Sequence, residues 1–233
     1  MSGTSSPLML ADQQRMLRMA ARALSRAGLV HAFGHCSFRE NDDYFWVCPA
    51  MPMGCIPAGA ENQRVPARGP LPEGVLGEVR IHQNLYASRP EVNAVGRIMP
   101  PAIMALSTQG LTPRCRHGLS AYFGNDIPLW RDPRLLRNDE AAKALVELMA
   151  KRPALVMRGN GAVIAAASLE EMLSYAWFLE DTARLGLQVR AANFAPEQGC
   201  LDQDEIRDRH VTTGNVFGRM WQYLTLEDPE YVA

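Results

Sequence analysis

With 233 residues, 47% of them hydrophobic and 21% charged, the chain has ordinary globular composition and enough length for one sizeable core, so residues 1–233 are expected to form a single domain. A formal net charge of -1 with scattered basic residues gives no electrostatic reason to expect nucleic acid or an anionic membrane as partner. No stretch approaches the ~20 apolar residues of a membrane span, and the opening MSGTSSPLML lacks the positive and long apolar regions of a signal peptide, which makes the cytoplasm the expected compartment.

Residues 12–27 (DQQRMLRMAARALSRA) predict a helix, because Met16, Leu17, Ala20, Ala23, Leu24 and Ala27 recur at three- and four-residue spacing. Arg15, Arg18, Arg22 and Arg26 read as its solvated face, and Gly28 is placed to end it. Residues 44–48 (YFWVC) predict a strand. Residues 49–77, rich in Pro and Gly, predict a long irregular loop of the kind that is usually functional. Glu78 opens a short helix ending near Ser88, 92–98 read as a buried strand, and Pro100-Pro101 stop it and start the next helix.

Asn138 is placed to cap a helix over 139–151, with Asp139 and Glu140 in its first turn. Residues 154–158 and 162–167 predict two apolar strands joined by a tight turn at Gly159-Asn160-Gly161. Ser168 and Glu171 have capping-box spacing ahead of a helix whose stripe is Met172, Ala176, Leu179, Ala183 and Leu187. A last helix is expected over most of 203–224. The five cysteines (Cys36, Cys48, Cys55, Cys115, Cys200) are odd in number and form no C-x-x-C, so free thiols are expected rather than a disulfide framework or zinc knuckle. The alternation of elements predicts an α/β protein.

Several separated segments, in order, resemble the class II aldolase/adducin family. They are GLVHAFGHCSFR (28–39), Glu78-x-x-x-His82 running on through Tyr86-Ala87-Ser88-Arg89-Pro90-Glu91-Val92, Pro100, Ala105-Leu106-Ser107, Gly110, RGNGAVIAAASLEEM (158–172) and Leu179-Glu180. His31-Ala32-Phe33-Gly34-His35, His117 and GRMWQYLTLEDPE (218–230) look like the branch of hydroxyaromatic and pyridine-carboxylate decarboxylases. The resemblance implies a three-layer sandwich, with a central, mainly antiparallel sheet and helices on both sides. It also implies a homotetramer with active sites between subunits.

The family's divalent metal is held by three histidines and a Glu. Here those histidine positions are Arg97, Met99 and Asn160, and only Glu78 is kept. A guanidinium cannot ligate, and one carboxylate does not make a tight site, so no metal and no other cofactor are expected. The family's phosphate-reading turns are also replaced, by Gly34-His35-Cys36-Ser37, Cys48-Pro49-Ala50-Met51 and Leu76-Gly77-Glu78, which removes most small hydroxyls and disfavours a sugar phosphate.

Arg97 can grip a substrate carboxylate or stabilise an enolate, or it can simply neutralise Glu78. Glu78, His35 and His117 are the candidate proton-transfer groups. Asn160, Cys36 and Ser37 are candidate substrate contacts, although left-handed turn geometry alone can account for Asn160. His82, four residues after Glu78, is expected to pair with a neighbour. A replacement metal site at His31, His35 and Cys36 is disfavoured, because Gly28 and Gly34 predict a loop. The leading expectation is a metal-independent carbon–carbon lyase, decarboxylase or aldolase in type, acting on a small carboxylated, possibly hydroxyaromatic, substrate. A metal-free isomerase or dehydratase is the next reading. A non-catalytic binding or scaffold protein predicts a cleft filled by Met51, Met53 and Met99. A non-haem iron oxygenase ranks last, for want of histidine ligands.

Overall fold

A computed structural model describes residues 7–232. Its centre is a seven-stranded sheet built from β1 (His35–Arg39), β2 (Tyr44–Val47), β3 (Gln63–Pro66), β4 (Ala94–Ile98), β5 (Leu129–Trp130), β6 (Ala154–Met157) and β7 (Ala162–Ala166), in the order β3-β2-β1-β4-β7-β6-β5. Every pair is antiparallel except β5 with β6. The seven α-helices among the described residues are α1 (Pro7–Arg26), α2 (Arg80–Ser88), α3 (Pro101–Thr108), α4 (Asp139–Met149), α5 (Leu169–Ala191), α6 (Gln203–Arg209) and α7 (Val216–Thr225).

Strand alternation sorts the core into two layers. Cys36, Phe38, Ala94, Ile98, Ala162 and Ile164 point to one face, where α1, α3 and α5 contribute Leu17, Ile103 and Met172. Val47, Val95, Leu155, Met157, Val163 and Ala165 point to the other, covered by Ile81 and Leu85 of α2 and Leu145 of α4. Burying each of these aliphatic side chains contributes about 1.5–3 kcal/mol before entropy is counted. The three-layer sandwich expected from the resemblance is the architecture observed.

Local signals behave as their chemistry dictates. Asn138 Oδ1 accepts from Ala141 N–H, and Pro101 sits at the first turn of α3. Ser168 Oγ accepts from Glu171 N–H, while the Glu171 carboxylate reaches one residue further back, to Ala167 N–H. Glu180, buried in α5, caps α3 from a distance by accepting from Ala102 and Ile103 N–H.

Four expectations need correction. Residues 63–66 lie within the predicted loop but form β3, an edge strand whose Pro66 costs no interior ladder bond. Of His31, His35 and Cys36, read as loop residues because of Gly28 and Gly34, His31 does lie in a bend, but His35 and Cys36 begin β1. The last helix is two, split where Gly214 and Asn215 both take positive φ. The arginine face of α1 is solvated only at its ends: Arg26 is exposed and Arg15 half-buried, but Arg18 and Arg22 are buried, because the C-terminal segment folds back and sets Glu230 and Asp228 against them.

Candidate active site

The antiparallel register of β1 and β4 sets His35 opposite Arg97. Their neighbours Cys36 and Ile98 enter the α1–α5 core, so parity turns His35 and Arg97 to the α2 side. Gly34 makes this approach possible: its φ is +141°, and a Cβ there would sit 2.7 Å from Val30 Cγ1 and 3.1 Å from the Arg97 carbonyl.

The β6–β7 turn brings in the next residue. Gly159 and Gly161 have φ of +64° and +76°, whereas Asn160 is not among the positive-φ residues. The left-handed geometry thus belongs to the two glycines and does not explain Asn160. A Cβ on Gly161 would lie 1.9 Å from the Ile98 carbonyl, so the turn rests directly on the end of β4. Asn160 Oδ1 accepts from Arg97 Nη2 at 2.7 Å, and Arg97 Nη1 donates to the Ile98 carbonyl at 3.0 Å.

Glu78 stands in the short 3-10 turn Gly77–Val79 that leads into α2. Its Oε2 is 3.7 Å from Arg97 Nη2, within ion-pair range but too long for a hydrogen bond. The Arg97 side chain is only 3% exposed, and burial lowers its pKa from the ordinary arginine value while Glu78 pulls the other way; the group stays cationic.

These four side chains line an open cleft of about 700 Å³. Its walls are apolar, from Phe33, Met51, Leu76, Met99 and Leu135, and Arg137 lies at its edge, packed over Gly77. His35 Nε2, Glu78 Oε1, Arg97 Nε and Asn160 Nδ2 are all buried without a partner. Folded proteins pair the great majority of buried polar groups, so four orphans in one cleft point to a polar ligand.

Behind His35 lies a hydrogen-bonded series. His35 Nδ1 is 2.8 Å from His82 Nε2, His82 Nδ1 is 2.6 Å from Ser37 Oγ, and Ser37 Oγ is 2.8 Å from Tyr86 Oη. Burial pushes the pKa of His35 well below the ordinary histidine value, helped by His82 and Arg97. Burial, and then Arg97, hold His82 at about 3. Both rings are neutral near pH 7.

The structure therefore unites Arg97, Glu78, Asn160 and His35, and it separates the other candidates from them. Cys36 faces the opposite side of the sheet, buried beside Cys48, with burial pushing its thiol pKa up. Ser37 is fully buried behind His82 and does not reach the cleft. His117 caps a 3-10 turn over Gly118–Tyr122 and faces Asp181 of α5 at 3.6 Å, away from the cleft within one chain. Met53 is core, whereas Met51 and Met99 line the cleft without filling it. His82 pairs with its neighbours, as expected. Sequence reasoning did not find Arg137 or Leu135 as cleft residues. No local pattern marks them, because they reach the cleft only through the long connection before α4.

Residues 15–187 match the family described as the class II aldolase and adducin N-terminal domain. The chain is a member of that family. A 3,4-dihydroxyphthalate decarboxylase of Arthrobacter keyseri is 29% identical over 84% of this chain and 86% of its own length. The enzyme of the same name from Rhodococcus jostii is 28% identical over 74% of this chain and 78% of its own. The solved structure of L-fuculose 1-phosphate aldolase from Glaciozyma antarctica superimposes with a TM-score of 0.78, covering 96% of this chain and 92% of that one, and at 19% identity this shows the shared fold.

The divalent metal of this family does not fit the residues present. Among the described residues no three His, Cys, Asp or Glu side chains converge. Glu78 is the one carboxylate lining the cleft, and a permanent cation stands 3.7 Å from it. A second cation there would be repelled by Arg97 and would meet only Glu78 and the His35 ring as candidate ligands, short of the three or four that a tight site needs.

Proposed function

We propose that this class II aldolase-family protein is a metal-independent carbon–carbon lyase that removes CO2 from a small hydroxyaromatic carboxylate. The observation that carries the reading is Arg97, a buried cation on the floor of an open cleft, with Nε unpartnered and no carboxylate within hydrogen-bond distance. The decarboxylase names of the sequence relatives support the substrate class. The apolar walls suit an aromatic ring, and the open cleft does not match the filled one that a scaffold requires. A cytoplasmic homotetramer remains part of the proposal.

Loss of CO2 from such a ring forms a C–H bond and breaks a C–C bond. Glu78 accepts the proton of a ring hydroxyl and delivers it to the ring carbon bearing the carboxylate. The electron pair of the breaking bond returns to the ring, CO2 departs, and the phenolate left behind takes a proton from solvent. Negative charge shifts during this sequence between the carboxylate and the ring oxygens. Arg97 offers it a fixed positive charge in a site of low polarity, where such stabilisation is strongest. Asn160 holds the guanidinium in place through Oδ1 and leaves Nδ2 free for a substrate oxygen.

The test is CO2 release from 3,4-dihydroxyphthalate and related hydroxybenzoates by chelator-treated protein. Turnover is expected to survive chelation, and Arg97→Ala to lower kcat/KM by about 10²–10³-fold. A requirement for added divalent metal, or an Arg97→Ala variant of normal activity, refutes the mechanism.

A further inference from the structure

The series behind His35 has only one arrangement of hydrogens that satisfies every buried polar group in it except His35 Nε2. Tyr86 is buried, and its hydroxyl meets Ser37 Oγ alone among the side-chain partners. If the phenol donates to Ser37, the serine donates to His82 Nδ1. His82 then carries its hydrogen on Nε2 and donates to His35 Nδ1, which leaves the hydrogen of His35 on Nε2. Run the other way, His35 donates to His82, His82 to Ser37 and Ser37 to Tyr86, and the phenolic hydrogen is stranded in the core. Both directions leave His35 Nε2 without a protein partner, but the reverse one strands the phenolic hydrogen as well, and this second buried orphan fixes the direction. The single atom left over is His35 Nε2, on a residue that lines the cleft.

We infer that Tyr86, Ser37 and His82 are positioning residues that lock His35 as the neutral tautomer with its hydrogen on Nε2, so that the cleft presents a fixed hydrogen-bond donor to an oxygen of the substrate. This rests on the proposed reading of the cleft as a site for oxygen-rich aromatic acids. A neutral donor differs from the cation beside it: Arg97 answers a full negative charge, and His35 Nε2 answers a hydroxyl or carbonyl oxygen. The pair therefore favours a ligand with an anionic and a neutral oxygen close together, as an ortho-hydroxy acid has. Ser37 cannot touch the substrate itself, because it sits behind the imidazole pair.

The experiment is nitrogen-detected NMR of protein with 15N-labelled histidine at neutral pH, followed by titration with 3,4-dihydroxyphthalate. His35 is expected to be neutral with its hydrogen on Nε2, and His82 likewise, with the His35 Nε2–H resonance moving as ligand is added. Ser37→Ala should give mixed tautomers and lower kcat about tenfold at little change in KM, the loss of one oriented hydrogen bond. Ser37→Thr, which keeps the hydroxyl, should restore both the single tautomer and the rate. A His35 hydrogen on Nδ1, a cationic His35, or a resonance that stays put while the acid binds overturns the inference. Correct tautomers in a protein that binds the acid but releases no CO2 would refute the decarboxylase reading and leave this one standing.

Discussion

Arg22→Met tests what holds the C-terminal segment, and through it one wall of the cleft. Arg22 donates from Nε to Asp228 Oδ2 at 2.8 Å, and from Nη2 to Asp228 Oδ1 at 2.6 Å and Glu230 Oε2 at 2.7 Å. Its Nη1 donates to the Ile56 carbonyl, in the segment that follows Ala50, Met51 and Pro52 of the cleft. The Asp228 side chain is 0% exposed. Burial raises its pKa, and the hydrogen bonds from Arg22, the Glu230 N–H and Arg26, with the Arg22 charge, together more than offset this, so the group lies below the ordinary carboxylate range. Methionine keeps most of the arginine stem and removes charge and donors together. Asp228 is then left buried with only Arg26 Nη1 at 3.1 Å for a side-chain partner. Orphaning a buried carboxylate in this way costs about 3–5 kcal/mol, against a total stability of about 5–15 kcal/mol for a domain. Urea unfolding should show a fall of that size, and the thermal midpoint should drop by about 10 °C. Adding Asp228→Leu should recover at least half of the loss, because the uncompensated charge goes with it. A loss below about 1 kcal/mol, the range of a surface ion pair, or no recovery in the double variant would refute the buried-pair argument.

Stability should also fall on mild acidification. The unfolded chain binds a proton at His82 as pH drops through about 6.5, while the folded chain resists until about 3. The contribution is complete above pH 6.5 and declines below it, by about 2 kcal/mol at pH 5 for His82 alone, with His35 adding in the same direction. Urea midpoints across this range check the sign; a flat profile would mean the imidazoles are not buried neutral. The β6–β7 turn offers an internal control. Gly161→Ala should cost well over 2 kcal/mol and disorder Asn160, since its Cβ would meet the Ile98 carbonyl at 1.9 Å in addition to the positive-φ penalty. Gly159→Ala, whose nearest new neighbour is at 4.0 Å, should cost only about 1 kcal/mol. Equal thermal midpoints for the two variants would contradict the close-approach argument.

The parts of this fold that could be read from sequence are those governed by neighbours in the chain. Asn138 and Ser168 announce helices because their acceptors serve amides three residues on. β6 and β7 announce themselves as apolar runs around a Gly-Asn-Gly turn. β3 and β1 are harder: QRVP and HCSFR lack the apolar alternation that marks a half-buried strand. Missing β1 had a cost at the site. In a loop, His35, Cys36 and Ser37 can all face one ligand; in a strand, Cys36 must face away from His35, and Ser37 falls one pleat behind it. Arg97, Asn160, Glu78 and His35 were legible as a group through the family resemblance. The arginine stripe of α1 was misread because its acidic partners come from the far end of the chain.

Arg22 and Arg97 show how burial alone fails to separate a structural cation from a functional one. Both guanidiniums are nearly enclosed, with side chains 6% and 3% exposed. In Arg22 all three nitrogens are engaged, two of them by carboxylates at 2.8 Å or less, so the charge is cancelled and the group can only hold. In Arg97 one nitrogen has no partner, the other two meet neutral oxygens, and the nearest carboxylate is too distant to accept. Keeping a cation out of water in that state is costly, and nothing in the fold requires it, since β4 pairs on both sides through its backbone. An anion entering the cleft would supply the missing acceptor. The energy that the fold leaves unspent at this guanidinium is then available to bind and polarise the ligand, which is why the unpaired nitrogen says more about function than the charge does.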